Sequence, residues 1–212
     1  TPKVMTLSKD GKQLFVANWH SNTVSVLDIS SSNPNDWLKT KDIPVGSVPR
    51  GMCVSDNGKF LFVGHMGSST IGTIRLDSLK LIRNTKVGIT PRHIISNGKH
   101  LFASLSSPEK IIRLGQDSLK ILQTASTKDD PRTIALSADN KFLFSVSYAD
   151  DLLEVLDSKT LKVLRTEKSS HKPVGVTVFQ KADTIEAWVG NYSSSHLSVF
   201  TYKVLYEPFL VE

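Results

Sequence analysis

Proline recurs at positions 2, 49, 91, 131 and 173, and the text around each proline recurs with it. The interval stays between 40 and 47 residues, and a fixed period of that size constrains a fold more than any local pattern. Pro49-Arg50-Gly51, Pro91-Arg92-His93 and Pro131-Arg132-Thr133 each open an apolar stretch that closes on Ser55, Ser96 or Ser137. Pro2-Lys3 opens a first copy ending at Ser8, and Pro173-Val174 a fifth ending at Phe179.

After each stretch comes Asp10-Gly11-Lys12, Asn57-Gly58-Lys59, Asn97-Gly98-Lys99 or Asp139-Asn140-Lys141, with Lys181-Ala182-Asp183 in the fifth copy. Asp-Gly and Asn-Gly steps supply the positive φ of a tight hairpin, so two antiparallel strands meet at each site. An aromatic then occupies one position throughout: Phe15, Phe62, Phe102, Phe144 and Trp188. All five are expected in equivalent buried places between repeats. Segments such as Thr23-Val24-Ser25-Val26-Leu27-Asp28 alternate with period two, the mark of a strand with two different faces. An Asp-led turn (Asp77-Ser78-Leu79-Lys80 and its equivalents) leads to a fourth strand ending at Val45-Gly46 or Val87-Gly88.

Four short strands with four short connections need about 40 residues. The pattern therefore reads as an all-β chain, a β-propeller of four-stranded antiparallel blades. The expected repeats are 1–47, 48–89, 90–129, 130–171 and 172–212, within one domain spanning 1–212.

The composite Pro-Arg … Ser-x-Asp-Gly-Lys-x-Leu-Phe-Val-Ala-Asn … Asn-Thr-Val-Ser-Val-Leu-Asp … Val-Gly resembles the YVTN repeat, and residues 8–28 carry it almost unbroken. That resemblance implies a WD40-like propeller, extracytoplasmic (periplasmic, secreted or at the cell surface), that binds or scaffolds rather than catalyses. Such propellers often have about seven blades. The five repeats are then either part of a larger ring or a five-bladed ring closed by the tail Tyr206-Glu207-Pro208-Phe209-Leu210.

Other classes find little support. One cysteine, Cys53, excludes an internal disulfide framework and a Cys-rich zinc site. No apolar run approaches the ~20 residues of a membrane helix, and the N-terminus does not read as a signal peptide. Calcium-loop, P-loop, G-x-S-x-G and H-E-x-x-H patterns are absent. The six histidines scatter through different repeats and give no metal spacing, so neither metal nor cofactor is expected. Pro91-Arg92-His93 is similar to a segment of lactonase-type propellers, which place an Asn-Glu pair one strand later. Here Leu105-Ser106 stands there, which argues against hydrolysis and against assigning catalytic residues.

The formal net charge of +6 points to anionic partners. In a propeller the innermost strands all begin at one face, so Lys3, Arg50, Arg92 and Arg132 should surround the channel mouth. The loops after the second strands emerge on that face with Trp19, His20, Tyr148 and Tyr192, and His93 follows Arg92. Guanidinium groups take carboxylates and phosphates bidentately, and Trp and Tyr add flat apolar surface with a polar handle. These nine residues form the candidate ligand-binding set. The expected ligand is a protein partner or an anionic peptide or glycan. Single-stranded nucleic acid and propeller-type catalysis are the alternatives. Against all of these stands a packing role, in which each Arg pairs with an acid such as Asp150 or Asp151.

Overall fold

The computed structural model describes residues 1–204, more than half of them in strands. β1 (Pro2–Leu7), β2 (Gln13–Asn18), β3 (Thr23–Asp28) and β4 (Leu38–Pro44) form the first antiparallel sheet. β5 (Pro49–Val54), β6 (Phe60–His65), β7 (Thr70–Arg75) and β8 (Lys80–Lys86) form the second. The third holds β9 (Pro91–Ser96), β10 (His100–Leu105), β11 (Lys110–Gly115) and β12 (Ile121–Ser126). The fourth holds β13 (Pro131–Leu136), β14 (Phe142–Ser147), β15 (Leu152–Asp157) and β16 (Val163–Lys168). The fifth comprises β17 (Pro173–Lys181), β18 (Thr184–Asn191) and β19 (Leu197–Lys203). One 3-10 turn, Pro34–Asp36, is the sole helical element among the described residues, so none is long and apolar enough to cross a membrane. These are propeller blades, and the inner strands β1, β5, β9, β13 and β17 pack against one another in chain order.

The first hairpin of each blade is built by its own side chains. Gly11, Gly58 and Gly98 have φ of 69°, 67° and 84°, as the dipeptides require. Asn140 (59°) and Ala182 (51°) adopt the same conformation in the two copies without glycine. In the second blade Ser55 Oγ donates to Asn57 Oδ1, while Asn57 Oδ1 and Ser55 Oγ accept from the amides of Lys59 and Phe60. Ser8 with Asp10 and Ser137 with Asp139 repeat this network, so the Ser-x-Asp text is a turn cap.

The core lies between blades. Phe15 packs on Leu61, Val63 and Ile74, and Phe62 on Ile94, Leu101 and Ala103. Phe102 packs on Ile134, Leu143 and Leu156, and Phe144 on Val176, Ala187 and Tyr202. All four phenylalanines are buried. Trp188 departs from expectation: it is 41% exposed. Its face of β18 points away from the fourth blade, and no blade among the described residues covers it. Phe179, Leu197 and Val199 share that exposed face, and Met5 and Leu7 are exposed on the opposite end, the free face of the first blade. The tail expected to close a five-bladed ring lies outside the described residues.

Candidate functional site

The geometry of the mouth starts one residue before each proline. Val48, Thr90, Asp130 and Lys172 hold φ of 57°, 52°, 50° and 57°. Left-handed backbone is costly for β-branched residues, about 1–3 kcal/mol each, so surrounding contacts must impose it. The imposing contact is visible. The carbonyls of these residues accept from the amides of Met66, Ser106, Tyr148 and Tyr192 at 2.7–3.2 Å, and Thr1 accepts from Trp19 at 2.9 Å. The kink directs the following Pro-Arg step into the inner strand and ties it to the loop after the second strand. Trp19, Met66, Ser106, Tyr148 and Tyr192 are therefore equivalent positions, brought beside the cations by backbone hydrogen bonds.

Arg132 donates from Nε and Nη2 to Asp130 Oδ2, both at 3.0 Å, and its guanidinium lies 3.3 Å from the Tyr148 ring centre. Lys172 reaches the same ring at 5.7 Å. Arg50 and Lys3 each stand 5.3 Å from the Trp19 ring centre. Arg92 sits among them half-buried. Its guanidinium is held down to about 10, first by burial and then by Arg50 and Arg132, with Asp130 and Tyr148 opposing. Burial and Arg132 also lower Arg50. Three guanidinium groups thus share one carboxylate, and among the described residues neither Arg50 nor Arg92 makes an ion pair. The acid that pairs with Arg132 is Asp130, two residues earlier in sequence. Asp150 instead accepts from the Asp129 amide, and Asp151 from His171 and the Lys172 amide.

His93 lies beside this cluster. Burial and then Arg50 push its imidazole down to about 4, so it is neutral, and its Nδ1 accepts from the Ile134 amide at 3.4 Å. Two candidate residues are exposed: Tyr192 at 74%, and His20, with its Nδ1 2.9 Å from Thr1 Oγ1. His65 belongs to the core: its Nδ1 meets Thr70 Oγ1 at 2.9 Å and its Nε2 accepts from the Gly46 amide at 3.3 Å. Among the described residues no three His, Cys, Asp or Glu side chains are grouped to hold a metal. Burial raises Cys53 to about 12, the state of an inert core thiol.

The arrangement can hold an anion against flat aromatic surface. Acid–base groups are scarce in it. Asp130 is committed to Arg132, and Glu154 is buried, accepting from the Lys128 amide and Ser147 Oγ. At the place of the Asn-Glu pair of lactonase-type propellers, Leu105 is buried and Ser106 Oγ donates to the Pro131 carbonyl.

Fold and mouth together define a β-propeller with a cationic, aromatic-lined face. The sequence model of the family described as "Lactonase, 7-bladed beta-propeller" matches residues 3–89, while no curated protein sequence matches the chain. Among solved structures, hydrazine synthase of Kuenenia stuttgartiensis is similar at 22% identity and a TM-score of 0.74, over 89% of this chain and 55% of that one. A functionally unknown protein from Desulfotomaculum acetoxidans gives 13% and 0.73, over 98% of this chain and 72% of that one. A putative 6-phosphogluconolactonase from Bacteroides uniformis gives 17% and 0.69, over 81% and 56%. At these identities the likeness is one of fold, and the chain spans about half the length of the hydrazine synthase chain it matches.

Proposed function

We propose that the protein is a non-enzymatic binding scaffold whose channel mouth takes an anionic group of a protein, peptide or glycan partner. The observation that carries this reading is that Arg50 and Arg92 are half-buried, mutually repelling and, among the described residues, without an ion pair. Like charges gathered in a partly desolvated site favour an incoming anion, and Trp19 and Tyr148 offer the surface to pack its apolar part. The YVTN-like repeats support placing this function outside the cytoplasm.

The test is binding of a fluorescent acidic peptide to the wild type and to the double variant Arg50→Ala, Arg92→Ala. The variant should bind at least about tenfold more weakly and with a shallower salt dependence. Equal affinity in both proteins refutes the reading. Tighter binding of an oligonucleotide than of the peptide would favour the nucleic-acid alternative.

A second reading, hydrolysis of an anionic sugar lactone, is favoured by the match of residues 3–89 to the lactonase family. On this reading Arg50 and Arg92 would bind the substrate's anionic group. Turnover of 6-phosphogluconolactone above the spontaneous rate, lost in Arg92→Ala, would establish it over the scaffold.

A further inference from the structure

A second cationic site lies at the other end of the strands, away from the mouth. Opposite the repeated phenylalanine, the neighbouring strand carries Val26 in the first blade, Thr73 in the second and Val155 in the fourth. In the third blade that register position, opposite Phe102, is Arg113. A guanidinium thus stands where the first and fourth blades bury valine. Among the described residues its Nε is buried without a hydrogen-bond partner, which is a cost to the fold that the valines avoid.

Arg113 opens onto a cleft of about 410 Å³ between the third and fourth blades, lined also by Lys99, His100, Phe102, Ser158 and Lys159. That volume is within the ~300–1,000 Å³ of small-molecule sites. Among the described residues no carboxylate lines it, and Lys99, Arg113 and Lys159 make no ion pair. The neighbouring cleft between the second and third blades differs in having an acidic residue, Asp117, in its lining, whose backbone carbonyl accepts from Arg83 Nη2 at 3.0 Å. Burial first, and then the charges of Arg113 and Lys99, hold His100 below its ordinary value. Asn97, on its rim, uses Oδ1 to accept from the amides of Lys99 and His100, which leaves its NH₂ to donate.

We propose that the cleft between the third and fourth blades binds a small phosphorylated molecule, its phosphate held by Arg113, Lys99 and Lys159. Three permanent cations suit a phosphate dianion better than a single carboxylate, and Arg offers the two parallel donors that phosphate oxygens accept. The site is independent of the mouth and of the function proposed for it.

The test is calorimetric titration of the full chain with inorganic phosphate, glycerol 3-phosphate and acetate, with the His100 imidazole followed by NMR. Arg113→Val installs the residue the fourth blade already uses at this register, so the fold should hold while phosphate binds at least about tenfold more weakly. Lys99→Gln with Lys159→Gln, both exposed positions, provides the same test without touching the core. Saturating phosphate should raise the His100 pKa in the wild type and not in Arg113→Val. Phosphate affinity unchanged in these variants overturns the proposal. So does acetate binding as tightly as phosphate, or phosphate binding that disappears in Arg50→Ala, Arg92→Ala instead.

Discussion

If Arg92 serves an anion and not the fold, removing its charge should make the empty protein more stable. Arg92→Met keeps the aliphatic stem and its packing while deleting the guanidinium. Burial, Arg50 and Arg132 hold this group at about 10 against an ordinary 12.5. That difference corresponds to at most about 3 kcal/mol against the charged form. Side-chain relaxation and solvent screening at a half-exposed mouth reduce this to about 1–2 kcal/mol of expected stabilisation. For a chain of this size that is a rise in melting temperature of about 2–8 °C. The assay is thermal and urea unfolding at low and high salt, beside binding of the acidic peptide. The gain should shrink as salt screens the repulsion, and peptide affinity should fall although stability rises. A variant less stable than the wild type at low salt, with peptide affinity unchanged, would show that Arg92 is a packing residue and remove the basis for the mouth as a site.

Other outcomes follow from the core. His65 is fully buried and held at about 4 by burial, against 6.5 when unfolded. The unfolded chain therefore binds the proton first, and stability is lost as pH falls from 6.5 towards 4, by about 2 kcal/mol between pH 7 and pH 5 from this residue. Urea midpoints at the two pH values should show the loss, and His65→Gln should flatten it. Phe62→Ala should cost about 3–5 kcal/mol as a core aromatic deletion, and an unchanged melting temperature would reject the assigned packing. Gly51→Ala should lower the urea midpoint, because the added Cβ would lie 2.7 Å from the Arg92 carbonyl oxygen and His93 Cα, backbone atoms of the next blade. Gly58→Val should also destabilise, since a β-branched residue is a poor occupant of φ 67°.

What the sequence by itself determined is the part written in local chemistry. The Asn57-Gly58 step and the Ser55 hydroxyl suffice to make a hairpin, and the alternation through Val24 and Val26 suffices to give β3 a buried and an outward face. The recurrence of Pro followed by Arg or Lys in four of the five repeats placed the cations at one end of the inner strands without any knowledge of contacts. Adjacency across blades was not written in this way. Trp188 repeats the position of Phe144, yet it is exposed where Phe144 is buried, because burial of that face depends on the next blade and not on the residue. Asp130 was next to Pro131-Arg132 in the text, but only the left-handed kink at Asp130 shows its carboxylate meeting Arg132 in preference to Asp150 or Asp151. Nothing in the text around Arg113 sets it apart. Only the register opposite Phe102, and the meeting of its strand with Ser158 and Lys159 of the fourth blade, gave it a cleft. Turn chemistry and strand period act over a few residues and repeat with the text. Charge and burial are set by whichever side chain arrives from a blade some 40 residues away, and the tertiary structure decides which one that is.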